Sequence, residues 1–200
     1  IQEEYNLDKP FLVQYLLYLK GIFTLDFGMT FSGQPVSSVM ANAFPVTIKL
    51  TVMAVVFETV FGVLFGFIAG VRRGGIFDST VLVLSLLVIA IPSFVIGFVM
   101  QFLIGVKWGL LPVTVGRDET FLELLMPATV LGAVSLAYVI RLTRQSVSEN
   151  LRADYVRTAR AKGLSMRQVL WGHVFRNASI PVLTVAGMQF AELLGGAVVI

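Results

Sequence analysis

Long apolar runs leave this chain few folds to choose from. Residues 46–71 carry only Lys49 and Glu58 as charged side chains, and residues 80–106 carry none. A third run covers residues 126–146, and a fourth opens at Ile180. A helix rises about 1.5 Å per residue, so the first run reaches roughly 39 Å, enough to cross a hydrocarbon core of about 30 Å with tilt. The chain is 56% hydrophobic and only 14% charged, whereas soluble domains carry about 25% charged residues. The fold class is all-α and integral to a membrane. Pro92 and Gly97 are expected kink points in the second span, and Pro181 is placed in the first turn of the fourth, where a missing N–H costs nothing. The sequence opens without Met and stops at Ile200 inside an apolar run, and reads as an internal piece of a longer membrane protein.

Residues 1–44 are mixed. The stretch 10–23 is apolar but too short to span and includes Gln14 and Lys20, as an interfacial or packed amphipathic helix would. Gly28, Gly33 and Pro35 mark the loop after it. This gives an external region over 1–44 and a transmembrane domain over 45–200.

Charge orients the spans. The turn after the first span carries Arg72 and Arg73 against Asp78, and the stretch from Arg141 to Arg176 nets +6. The region before the first span nets −2 and the loop 107–123 nets −1. The sign alternates with each crossing, so the N-terminal region lies outside and the basic segment lies in the cytoplasm.

That basic segment, residues 147–178, is more elaborate than a topology signal requires. Val147, Leu151, Tyr155 and Ala159 recur every four residues, one stripe along an expected helix. Gly163 after Lys162 has the position of a left-handed helix C-cap, with Leu164 able to pack back. Ser165 then opens Ser-x-x-Gln168, a capping box for a second helix. Small residues at Ala159, Ala161 and Gly163 keep the corner thin enough for a partner backbone to approach. Helix–Gly–helix with arginines also fits a DNA-binding motif, but flanks that insert in a bilayer disfavour it.

The segment Arg157-Thr158-Ala159-Arg160-Ala161-Lys162-Gly163, followed by Arg167, Val169, His173, Arg176-Asn177 and Ile180-Pro181, resembles the cytoplasmic coupling loop of ABC importer permeases. It is most similar to the dipeptide/oligopeptide/nickel group. The general importer motif reads Glu-Ala-Ala, three residues, Gly, nine residues, Ile-x-Leu-Pro. Aligned on Gly163, only Ala159 and Gly163 match it, the departures being those usual in the peptide group. Tyr5 to Pro10, Gln14-Tyr15 and Asp26-Phe27-Gly28 resemble the external region of the B-type subunit, so the likeness covers essentially the whole chain.

The resemblance implies a type I importer bundle of six spans, of which the second to the fifth are seen here, the last incomplete. It implies that Arg157, Thr158, Ala159, Arg160, Ala161, Lys162, Gly163, Leu164, Ser165 and Arg167 couple to a cytoplasmic ATPase. The implied partners are a second homologous permease subunit, two ATPase subunits holding ATP and Mg, an extracytoplasmic solute-binding protein and the lipid bilayer, with no nucleic acid. The implied site is the cytoplasmic membrane of a bacterium or archaeon. No Gly-x-x-x-x-Gly-Lys-Ser/Thr phosphate loop occurs in this sequence, so nucleotide chemistry is expected on the partners. Di- or oligopeptides are the expected cargo, with nickel, glutathione or another small solute as alternatives.

Glu58 and Glu192 lie within apolar spans, where a charge is costly and faces a bundle interior, a pathway or a partner. Gln101 and Gln189 read equally as polar glue between helices. Gly62, Gly66 and Gly70 form two overlapping Gly-x-x-x-Gly steps, a signal for close helix packing. No cysteine and a single histidine exclude disulfides and thiolate sites, and neither catalytic nor metal-ligating residues are expected. A secondary transporter is a weaker alternative, since no inverted repeat is visible.

Overall fold

The computed structural model describes residues 9–116 and 118–196. The chain divides into two compact units, Ile1–Thr47 and Ile48–Ile200. The described helices are α1 (Phe11–Thr24), α2 (Val36–Val71), α3 (Ile76–Ala90), α4 (Ser93–Met100), α5 (Phe121–Asn150), α6 (Asp154–Ala161), α7 (Met166–Val169) and α8 (Phe175–Gly196). Wider π-helical turns follow α4 at Gln101–Lys107 and join α7 to α8 at Leu170–Val174.

In the first unit, α1 buries no residue and is too short to span a bilayer. Leu25 ends it in the left-handed conformation at φ 57°, and the Asp26 N–H reaches back to Gly21 O at 2.9 Å. The chain then turns through a bridge between Met29 and Pro35, and α2 starts at once.

The second unit is organised around α5. Its buried residues include Leu124, Met126, Ala128, Val130 and Gly132, every second position in turn. A helix packed on one face buries a stripe at three- and four-residue spacing, so this alternation places neighbours on several sides. α3, α4 and α8 all pack on α5. So does α2, whose buried stripe runs Thr51, Ala54, Glu58, Gly62, Gly66, Ala69 and Gly70. A Cβ added at Gly62 would stand 2.5 Å from Val139 Cγ1, one at Gly66 2.6 Å from Ile140 O, and one at Gly70 2.8 Å from Val147 Cβ. The glycine row is thus the seam along which α2 meets α5, as its spacing suggests.

Among the described residues, three helices are long and apolar enough to cross a membrane: Val36–Val71, Phe121–Asn150 and Met166–Gly195. The second expected span is not one helix. It breaks into Ile76–Ala90 and Ser93–Lys107, bent by 102°. Pro92 disfavours the helical region for the residue before it, and Ile91 is extended at φ −94°, ψ 127°. Gly97 produces no break, since α4 runs through it.

Two other boundaries differ. The first span begins at Val36 and carries Pro45 in its interior. The third runs from Phe121 to Asn150, opened by a capping box in which the Glu123 carboxylate accepts the Thr120 N–H at 2.8 Å. The Thr-x-x-Glu signal for that start is legible in the sequence.

Candidate functional site at the corner between the last two spans

The four-residue stripe expected from Val147 to Ala159 does not lie on one helix. Residues 151–153 form a turn, closed by Leu151, Arg152 and Ala153 N–H groups bonding to Val147, Glu149 and Asn150 carbonyls. α6 starts afresh at Asp154, an acidic residue in its first turn as the helix dipole favours. Only Val156 and Ala159 of α6 are buried, and Tyr155, which the stripe placed inward, is exposed with its hydroxyl bonded to Asn150 Oδ1.

α6 ends as the sequence indicates. Gly163 has φ +84°, its N–H bonds to Arg160 O at 2.9 Å and the Leu164 N–H bonds to Ala159 O at 3.2 Å. This is a Schellman closure, which favours glycine because a Cβ is strained in the left-handed region. Ser165 then caps α7, accepting the Gln168 N–H at 3.4 Å while its own N–H bonds to Gln168 Oε1 at 2.9 Å. The helix so opened is not a second free helix of the loop. Met166–Gly195 is one continuous rod, so the cap at Ser165 starts the last span itself. Pro181 therefore sits in the helix interior, where it offers no N–H to the carbonyl four residues back.

A small core seats the corner. Val147, Val156, Ala159, Val169, Val174 and Ala178 pack together, with Leu151 and Leu164 partly buried against them. Phe67 of α2 stacks on Trp171 at 5.5 Å and meets Phe175 edge-on at the same distance. The outward side is basic and open: Arg157, Thr158, Arg160, Ala161, Lys162, Gly163, Ser165 and Arg167 are exposed, Leu164 is partly buried and Ala159 is buried. Of these cations, Arg157 has a pairing with Asp154 at 3.4 Å, both side chains largely in water, which contributes little. A Cβ at Gly163 would meet nothing within 4 Å.

Beside the corner lies a polar cluster that sequence reading missed. Arg144 of α5 grips both carboxylate oxygens of Asp78, its Nη2 at 2.7 Å from Oδ2. Asp78 is 2% exposed, and its Oδ2 also accepts the Gly74 N–H at 2.9 Å, across a turn where Gly74 has φ +82°. Arg73 Nη1 donates to Ser148 Oγ at 2.6 Å. Charge counting treated Asp78 only as an offset to Arg72 and Arg73; its place in the first turn of α3 was the available signal.

The four intramembrane candidates lie on three different elements, Glu58 on α2, Gln101 in the π-helical turn after α4, and Gln189 and Glu192 on α8. Glu58 is fully buried on the seam, and neither carboxylate oxygen has a hydrogen-bond partner among the described residues. Ser135 of α5 is the polar side chain beside it, short of ordinary hydrogen-bond geometry. Gln101 donates to Val113 O at 2.8 Å at the edge of a cavity of about 370 Å³ between α4, the loop 112–115 and the start of α5. Gln189 is partly buried with its Oε1 unpartnered, and Glu192, one turn on, is exposed. No group of three or more His, Asp or Glu side chains suited to a metal occurs among the described residues.

Comparison with known proteins adds an independent line. A family profile described as "Binding-protein-dependent transport system inner membrane component" matches residues 62–200. The dipeptide transport system permease protein DppB of Escherichia coli (strain K12) is 37% identical over 98% of this chain and 66% of its own length. Proteins of the same name from Bacillus subtilis (strain 168) and Lactococcus lactis subsp. cremoris (strain MG1363) are 36% and 38% identical over 100% of the chain, covering 65% and 66% of theirs. The chain thus spans a little under two thirds of the length of these relatives.

Proposed function

Because the chain belongs to the family of binding-protein-dependent transport system inner membrane components, multi-pass proteins of the inner membrane, we propose that it is a permease subunit of an ATP-driven importer for di- or oligopeptides. The names of its relatives support that cargo. Paired with a second homologous permease, it forms half of a translocation pathway. An extracytoplasmic binding protein delivers the solute, and two cytoplasmic ATPase subunits hold ATP and Mg. The chain itself is the non-catalytic part. Nickel, glutathione or another small solute in place of peptide would leave this architecture unchanged.

The observation that carries the reading is the corner at residues 154–165. It is a stiff, basic, outward protrusion seated on a core drawn from α5, α6, α7 and α8. A lever needs such a construction: a surface free to meet a partner, fixed to the elements it must move. Arg160, Lys162 and Arg167 are exposed and steer acidic groups on an ATPase into register more than they add raw affinity. Gly163 leaves the tip without a side chain, so a partner backbone can come close.

The test is co-expression with the neighbouring permease and ATPase genes, followed by ATP hydrolysis in lipid. Co-purification of the ATPase and stimulation by binding protein plus peptide are expected. Failure to recruit any ATPase would sink the reading.

A further inference from the structure

The cluster beside the corner has a geometry that packing alone does not require. The turn between α2 and α3 and the first turn of α3 are tied to the last two turns of α5, the one through Arg73 to Ser148 and the other through Asp78 to Arg144. The Asp78 carboxylate also holds the turn's own Gly74 N–H. Between the two ties lies Val147, which is 0% exposed, belongs to the corner's core and abuts Gly70 of α2. From Asn150, the end of α5, only residues 151–153 intervene before α6. An arginine–carboxylate fork fixes orientation as well as distance, and Asp78 has almost no water to compete for it.

We propose that Asp78, Arg144, Arg73 and Ser148 form a coupling clamp: they lock the α2–α3 turn to the base of the corner, so that a push on α6 moves α2, α3 and α5 together. These are positioning residues, acting through α5 on the spans. The inference rests on the corner being the ATPase dock. It assigns a separate role to residues that lie outside the corner.

The test uses the full-length permease in its assembled transporter, reconstituted in liposomes. These 200 residues contain no cysteine; with any cysteine elsewhere in the assembled transporter replaced, Asp154→Cys and Ile76→Cys supply a pair of spin labels, one at the start of α6 and one on the first residue of α3, directly after the α2–α3 turn. With the clamp intact, the label distance stays the same with and without ATP. In Asp78→Asn, and in the apolar pair Asp78→Leu with Arg144→Met, which keeps bulk in place of charge, the distance shifts on ATP binding. In the same variants without labels, dipeptide taken up per ATP hydrolysed falls at least about fivefold, the low end of typical coupling between sites, while ATPase co-purifies in wild-type amount. Arg144→Lys, which keeps charge but loses the fork, falls between. An ATP-dependent distance shift in the clamped protein overturns the proposal, as does unchanged uptake per ATP in both variants. Loss of assembly in every variant also overturns it, since that is the outcome of a purely structural pair. If the unmutated permease recruits no ATPase, the docking reading fails first and the clamp with it, before any variant is made.

Discussion

Along the α2–α5 seam, each glycine of the row Gly62, Gly66 and Gly70 lies against another helix, whereas a Cβ at Gly163, on the corner, would meet nothing within 4 Å. The same residue type thus does opposite work in the two regions. On the seam it removes bulk so that two backbones can touch. At the corner it shapes the chain and leaves the space outside empty. The difference separates what holds this unit together from what it has available for another molecule. Tight contact without free space is a fold determinant, and a stiff surface with free space is a docking candidate.

The comparison can be broken most severely at Gly66. Even alanine there puts a Cβ 2.6 Å from Ile140 O and 2.7 Å from Thr143 Cβ, and backbone cannot rotate aside. Overpacking of this kind costs about 1–3 kcal/mol, so Gly66→Leu should abolish accumulation in the membrane and Gly66→Ala should lower thermal stability in detergent. The matched change at a glycine with open space, Gly172→Ala in the last span, should leave stability unchanged. Equal losses at the two sites would erase the distinction.

Next in size is the loss of one side of the Asp78–Arg144 pair. Stranding a buried partner costs about 3–5 kcal/mol. Arg144 keeps 20% of its side-chain exposure, so Arg144→Ala should cost about half that, read as a lowered unfolding midpoint. The Asp78→Leu with Arg144→Met double variant should recover most of the stability.

Smaller still for the fold, though not for function, is Gly163. Asparagine tolerates the left-handed conformation, so Gly163→Asn should fold and bind ATPase nearly normally. Gly163→Trp should also accumulate in the membrane but lose ATPase in a pull-down, because its side chain projects into the open space that the proposed docking requires. The smallest effect is expected from Arg157→Ala. Stability should not change, and ATPase binding should become less sensitive to salt, since exposed charges act over a Debye length of about 10 Å at 0.1 M.

How much of this was legible in the sequence follows from the range of the interactions. Local signals read well: the Gly163 C-cap, the Ser165–Gln168 box and the glycine row are set within a few residues. Apolar runs located the spans, but their ends moved wherever a helix continued past the apolar stretch, as α5 does to Asn150 and the last rod does from Met166. The stripe from Val147 to Ala159 failed because periodicity cannot register a three-residue turn. The 102° bend was under-read, since a proline fixes that a helix is interrupted but not the angle at which it resumes. The Asp78–Arg144 pair spans 66 residues; the place of Asp78 in the first turn of α3 marks one partner, but nothing local announces the other. Glu58 was recognised as costly, yet its burial on the glycine seam emerges only from how α2 lies on α5.

The most direct measurement starts from a transporter in which any cysteine outside these 200 residues, which contain none, has been replaced. A photo-crosslinker carried on Lys162→Cys, at the corner, is compared with one on Trp108→Cys, exposed in the loop after Lys107, in the assembled transporter. The expected result is a covalent adduct between this chain and the ATPase subunit from position 162 and none from position 108. No adduct from position 162 in a transporter that still contains its ATPase, or equal adducts from both positions, would contradict the assignment of the corner as the docking surface.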